Sequence, residues 1–372
     1  SVAHPRRRNH NAVELQIESP ADEICPQCPM MLAFRTARPY LPRAVASIIG
    51  ALMFIRVFSP GAIAQVVTWT GAGDWSSLAN WSVGGGPPAV VPGAIHSIAV
   101  PSGTLTISDS RSIATASFSG GAINGAGTLG ISGLLTISGG DLSGTGTITA
   151  SGGANITGSF TLRAGQTLSL AGNSTWSAGN IYQGTASILN NTGTLTNTGN
   201  TPFYYNHGGT KLTFNNSGTF TKSTATGNSY LDAIVNNTGT INVQSGSVSV
   251  GGGGSSSGTV DVSTGATFAL ANGNFTFNPG SQITGAGTVL VSGGTTVFTG
   301  NNTGSAKISL SGGTATFNGT TNTTGGGSIT GGTLNGTGSL TLGGPLTISG
   351  GDLNGTGTIT ASCGANITGS FT

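Results

Sequence analysis

The chain has 372 residues, of which 66 are glycine and only 6% are charged, and its formal net charge is +2. Beyond residue 64 there are five basic side chains (Arg111, Arg163, Lys211, Lys222 and Lys307) against six aspartates, 5 − 6 = −1. So little charge, with no basic stripe, excludes a nucleic-acid-binding surface. The excess of Gly, Ser, Thr and Asn fits either a disordered low-complexity chain or a repetitive β structure, and apolar columns kept in register over successive repeats decide for the second.

Residues 1–29 read as a preface outside the mature protein. They carry Cys25 and Cys28 as a lone C-x-x-C pair, a weak zinc or redox motif without a second half-site. Residues 30–64 have the three parts of a secretory signal peptide: Arg35, Arg38 and Arg43, an apolar run from Ala44 to Phe58, and the small pair Ala62 and Ala64 before cleavage at Gln65. The apolar run is too short for a spanning helix and contains Arg56.

Residues 65–119 read as a Trp-rich N-terminal cap followed by the first rungs. Trp69, Trp75 and Trp81 are spaced six apart and make up three of the four tryptophans. The end of a stacked β structure exposes an apolar core and unpaired edges, so bulky residues there cover it. A carbohydrate-stacking platform is the competing reading of the same three rings.

Residues 120–330 form a repeat unit, and 331–372 are the start of a second copy: Gly120 to Thr161 aligns without a gap to Gly331 to Thr372 at an offset of 211. Inside the unit a shorter period appears in three apolar columns. These are Ile123, Leu142, Leu162 and Ile181; Leu129, Ile148, Leu168 and Ile188; and Leu135, Ile156, Trp176 and Leu195. The steps of about 20 residues, with Gly, Asn, Ser or Asp between anchors, predict three short strands and three bends per rung. The fold class is therefore all-β, a right-handed parallel β-helix, with about 14 or 15 rungs spaced ~4.8 Å apart. The pairs Asn190-Asn191, Asn215-Asn216, Asn236-Asn237 and Asn301-Asn302 are expected to stack as side-chain ladders.

The segment Asn200 to Gly209 interrupts the rung period and is expected to protrude. Its Phe203, Tyr204, Tyr205 and His207 make it the candidate binding loop, with a loop packing its own aromatics on the rod flank as the alternative.

Catalysis on a β-helix needs clustered carboxylates, for calcium or for paired acid and base work. The mature segment has no glutamate, and Asp74, Asp109, Asp141, Asp232, Asp261 and Asp352 are not spaced to cluster. Asp141 with Arg163, and Asp109 with Arg111, read as surface ion pairs, and Asp141 also as a bend residue capping backbone donors. His96 and His207 have no second histidine at ligand spacing, so no metal or other cofactor is expected. The GTGTITAS run lacks the aspartate that calcium-binding nonapeptides need, and Cys363 has no partner cysteine in the rungs. A flat Thr lattice for ice binding, from residues such as Thr145, Thr147 and Thr149, is opposed by the irregular rung lengths after Asn200.

The signal, the W-x-G-x-x-x-W-x-x-x-x-x-W segment with NWS and a Pro-Gly turn, and the Gly/Thr/Asn rungs together resemble the passenger of bacterial autotransporter or filamentous-haemagglutinin-like surface proteins. The resemblance covers Val66 to Thr372. It implies a secreted rod on the outer membrane of a Gram-negative-type cell, exported by an outer-membrane translocator in cis or in trans, without enzymatic activity. Its implied partners are glycans or proteins of host or neighbouring-cell surfaces. The alternative is a carbohydrate-active β-helix, a polysaccharide lyase or binding module.

Overall fold

The computed structural model of the chain describes residues 65–370 apart from Pro87 and Ala89. The preface and the signal, with Ala62 and Ala64, lie outside the described residues, of which Gln65 is the first.

Each strand is two to four residues long because apolar side chains alternate with small polar ones for only that distance before a bend. Thr147–Ala150 is representative: Ile148 and Ala150 are buried while Thr147 and Thr149 stay partly exposed. Successive strands fall on three different sheets, of 16, 15 and 13 strands, called here the first, second and third. The result is a right-handed parallel β-solenoid of about 14 turns, with rungs of about 19 residues. At the usual ~4.8 Å between strands the stack is on the order of 65 Å long.

The core is one continuous column of buried aliphatic and aromatic side chains from Val67 to Ile348. No rung buries enough to fold alone, so each is held by the backbone ladders above and below it. At the bends the chain approaches its neighbour so closely that glycine is required. Gly125 has φ +104°, and a Cβ there would fall on the carbonyl oxygen of Ile107 one turn earlier.

The N-terminal end is closed by its tryptophans. Val66–Trp69 pairs antiparallel with Trp81–Ser82, among the described strands the one departure from parallel pairing, and Trp81–Ser82 covers the free edge of the first sheet. Trp69, Trp75 and Trp81 are all buried; Trp81 meets each of the other two edge to face at 4.9 Å. Trp75 Nε1 donates to the Pro92 carbonyl at 3.2 Å and Trp81 Nε1 to the Trp75 carbonyl at 2.8 Å. Buried in this way, none of the three offers a ring face to a sugar. Beside them Asp74 accepts from Ser76 and Ser108, which hold its carboxyl down at about 2.

The third sheet carries the ladders. Asn191 Nδ2 donates to Asn216 Oδ1 at 2.7 Å, Asn216 Nδ2 to Asn237 Oδ1 at 2.7 Å, and Asn237 Nδ2 to Ser256 Oγ at 3.1 Å, all inside the core. On the outer face Asn215 donates to Asn190 at 3.0 Å and Asn236 to Asn215 at 3.1 Å. Asn302 does not extend this ladder: it is in the first sheet, opposite Thr321. The inner column continues instead through Phe277, Phe298 and Phe317, whose rings stack at 4.9 and 4.4 Å.

The three apolar columns hold in part. Ile123, Leu142 and Leu162 are in register, but the next inward position is Gln183, not Ile181, which lies opposite Phe160. Leu189, not Ile188, follows Leu168. Ile137, not Leu135, precedes Ile156 and Trp176, and Asn197, not Leu195, follows them. At Gln183 and Asn197 a buried polar residue takes the place where an aliphatic one was expected.

The long repeat does not return to its starting sheet. Leu135–Ile137 lies in the first sheet, whereas its copy Leu346–Ile348 lies in the second; Thr147–Ala150 lies in the third and its copy Thr358–Ala361 in the first. The copies are separated by 31 strands, ten turns of three plus one. The same residues thus make the same strands and bends on any of the three sheets, so the rung is encoded locally.

Candidate functional site: a tyrosine groove where the second sheet opens

In the second sheet Ile181–Gln183 pairs with Phe203–Tyr205 over its whole length, Tyr182 lying opposite Tyr204. On the other side, Phe203–Tyr205 meets Asn228–Leu231 only at Phe203 and Leu231. The step from Phe203 to Leu231 is 28 residues, against 22 from Ile181 to Phe203, and the added length keeps the two strands from closing along the rest of their course. A groove of about 410 Å³ results, lined by Asn200, Pro202, Tyr204, Tyr205, Asn228, Tyr230 and Asp232 together with the Phe203 strand. That volume is in the range of small-ligand sites.

The candidate binding loop is therefore divided. Phe203 belongs to the core, fully buried, stacked on Trp176 at 5.2 Å and edge-on to Phe214 at 5.7 Å. Tyr204 is 55% exposed on the outer face, 6.1 Å from the ring of Tyr182. Tyr205 is half-buried; its hydroxyl donates to the Gly209 carbonyl at 2.5 Å and Lys211 Nζ lies 5.5 Å from its ring centre. His207 is exposed and does not line the groove. The Phe203–Tyr205 part is a strand, and after it Asn206, His207, Gly208 and Thr210 remain backbone-bonded to Gln183, Thr185 and Ala186 of the preceding turn while Leu212 is buried in the core, so the expected protruding loop is laid along the stack.

Tyr230 and Asp232 were not singled out from sequence as groove residues, because they lie 21 and 23 residues beyond Gly209 and reach the loop only through the rung stacking. Lys211 Nζ pairs with Asp232 Oδ1 at 2.5 Å and also donates to the Gly251 carbonyl at 3.3 Å. Burial, then the Asp232 charge, raises the Tyr230 phenol above its ordinary value, with Lys211 opposing, so the hydroxyl stays neutral there. Gln183, fully buried, spans the open ladder: its Nε2 donates to the Asp232 carbonyl at 2.5 Å and its Oε1 accepts from Leu212 N at 2.7 Å. Below the groove Lys222 is wholly buried, its ammonium donating to Asn200 Oδ1 at 3.2 Å and to the Ala225 carbonyl at 2.6 Å. Burial lowers its pKa. Asn200, a groove residue, is thus held from inside the core.

Three further aspartates each have one side-chain partner. Asp109 pairs with Arg111 and Asp141 with Arg163, each at 2.5 Å, and Asp261 accepts from Thr284 at 2.6 Å. Asp141 is not a bend residue: it opens the strand Asp141–Leu142, and its carboxylate faces Arg163 one turn on. Among the described residues no three of His, Cys, Asp or Glu are placed to hold a metal ion. Cys363 is an exposed free thiol.

No protein-family model, no curated protein and no solved structure matches the chain. The class defined by fold and geometry is a right-handed parallel β-solenoid with one aromatic groove on its flank.

Proposed function

We propose that this chain is the rod of a secreted surface protein that mediates adhesion and leaves its ligand chemically unchanged. The observation that carries the reading is the contrast along the stack: turn after turn presents short Thr, Ser and Asn side chains outward, and one stretch, where the second sheet opens, presents a cluster of tyrosines. A regular rod with one specialised flank suits display and contact. The carboxylates support binding over turnover, because those with Arg, Lys or hydroxyl partners are spread over separate turns and do not face one another as an acid and base. The resemblance of the cap and rungs to autotransporter and filamentous-haemagglutinin-like passengers supports display on the outer membrane of a Gram-negative-type cell, with a translocator in cis or in trans.

Incubation of the protein with a panel of acidic and neutral polysaccharides tests this against the lyase or hydrolase alternative. The expected result is unchanged chain length and no new reducing or unsaturated ends. Unsaturated uronate products or new reducing ends overturn the reading.

A further inference from the structure

We propose that the groove between Tyr204–Tyr205 and Tyr230–Asp232 is a binding site for a neutral oligosaccharide, an inference that rests on the adhesive-rod reading. Three independent features lead there. The first is composition: the sequence has five tyrosines, and Tyr182, Tyr204, Tyr205 and Tyr230, all four beyond the signal, lie in or beside this one opening. Tyrosine offers a rigid apolar face and a polar tip, and the apolar C–H face of a pyranose ring is matched by such a face while its hydroxyls need polar neighbours. The 55% exposed ring of Tyr204 and the half-buried Tyr230 supply the first requirement; Asn200, Asn228 and Asp232 supply the second.

The second feature is charge. The carboxylate of Asp232 is matched by Lys211, so the groove has neither the excess of positive charge that would select an acidic glycan nor an unbalanced negative charge. A neutral sugar is the occupant that fits this balance. The third is preorganisation. Asn200 is held by Lys222, the Tyr205 ring by its hydroxyl bond to Gly209 and by Lys211, and the Asp232 backbone by Gln183. Side chains fixed before the ligand arrives lose less freedom on binding.

The test uses the full chain with cellohexaose, mannohexaose and laminarihexaose as neutral probes and a heparin-derived hexasaccharide as the acidic one, read by saturation-transfer NMR and calorimetry. Binding of at least one neutral probe is expected, weakened at least about tenfold by Tyr204→Ala and by Tyr230→Ala, and unchanged by Thr147→Ala on the third sheet. Tyr204 is exposed, so its replacement leaves the core intact, and amide exchange of the variant verifies this. The inference is overturned if no neutral probe binds, if the acidic probe binds more tightly, or if neutral binding survives both tyrosine replacements. Cell adhesion that persists without any glycan binding rejects this site and leaves the adhesive rod standing; glycan binding without adhesion rejects the adhesive reading and leaves the site.

Discussion

Replacing Asn216 with alanine is expected to destabilise the turns around it by about 3–5 kcal/mol, whereas Asn215→Ala, one residue earlier, is expected to cost under about 1 kcal/mol. The two residues have the same chemistry and lie in the same strand, Thr213–Asn216, but on opposite faces. Asn216 is inside: it accepts from Asn191 Nδ2 and donates to Asn237 Oδ1 and to the Thr240 carbonyl at 2.9 Å. Its removal leaves Asn237 Oδ1 without that donor, strips a bond from the Thr240 carbonyl and opens a space that water cannot easily fill. Asn215 has the same kind of ladder outside, where water replaces each lost bond. In a one-dimensional stack a global midpoint averages over distant turns, so the measurement is amide hydrogen exchange resolved over residues 188–243. Equal loss of protection in the two variants contradicts the inner-ladder account.

Lys222→Met is the second large effect, and it has a sign that depends on pH. The side chain is fully buried between Asn197 and Val243 in the inner column of the first sheet, and both partners of its ammonium are neutral. Desolvation lowers its pKa in the folded state below the ordinary 10.5. Below the folded value both states are protonated and the fold bears the full cost of burying the charge. Between that value and about 10.5 the unfolded chain holds the proton while the native state has released it, so stability climbs with pH. Methionine, close in shape and uncharged, is expected to stabilise the surrounding turns by about 1–4 kcal/mol at neutral pH and to flatten the climb. Urea unfolding followed from neutral pH to 10.5 checks both expectations. A parent protein as flat as the variant across that window contradicts the burial argument.

The path from sequence to structure was most direct where function asks least. The alternation in segments such as Thr147–Ala150 and the glycines between them specify strands and bends so locally that a copied segment works equally well on a different sheet. The tryptophan cap was legible because three rings gathered within 13 residues ahead of the first regular rungs suit an open end. Register was less legible: the third column starts on Ile137 and not on Leu135, and after Leu162 the columns run into inward polar residues. A search for aliphatic columns slides to the nearest Ile or Leu, yet Gln183, Asn191, Asn197 and Lys222 all point inward and each donates or accepts a hydrogen bond with another turn. The Asn ladder shows the same point from the other side: doubled Asn residues mark one inward and one outward row, and Asn301-Asn302 departs because its strand belongs to another sheet. As for the groove, the sequence signalled Tyr204 and Tyr205 by an irregular rung. Tyr230 and Asp232 became part of it only when stacking brought turns 20 or more residues apart onto one face, where Lys211 pairs with Asp232.

Lys222, Gln183 and the tyrosines share a cause. The rung containing Phe203 is long, and its strand, fully paired to Ile181–Gln183 on one side, cannot close completely on Asn228–Leu231 on the other. Polar side chains fill the inside of that fault and aromatic ones its outside. Elsewhere a fault of this size would be a weakness in the stack, and here it is where the molecule differs most from a plain spacer.

Adhesion itself is the most direct test of the account. Beads coated with the full chain are to be counted on monolayers of glycan-bearing cells after washing, beside uncoated beads and beads carrying Tyr204→Ala. The account predicts retention well above the uncoated level and a marked fall for the variant. Retention of the coated beads no greater than that of bare beads contradicts it.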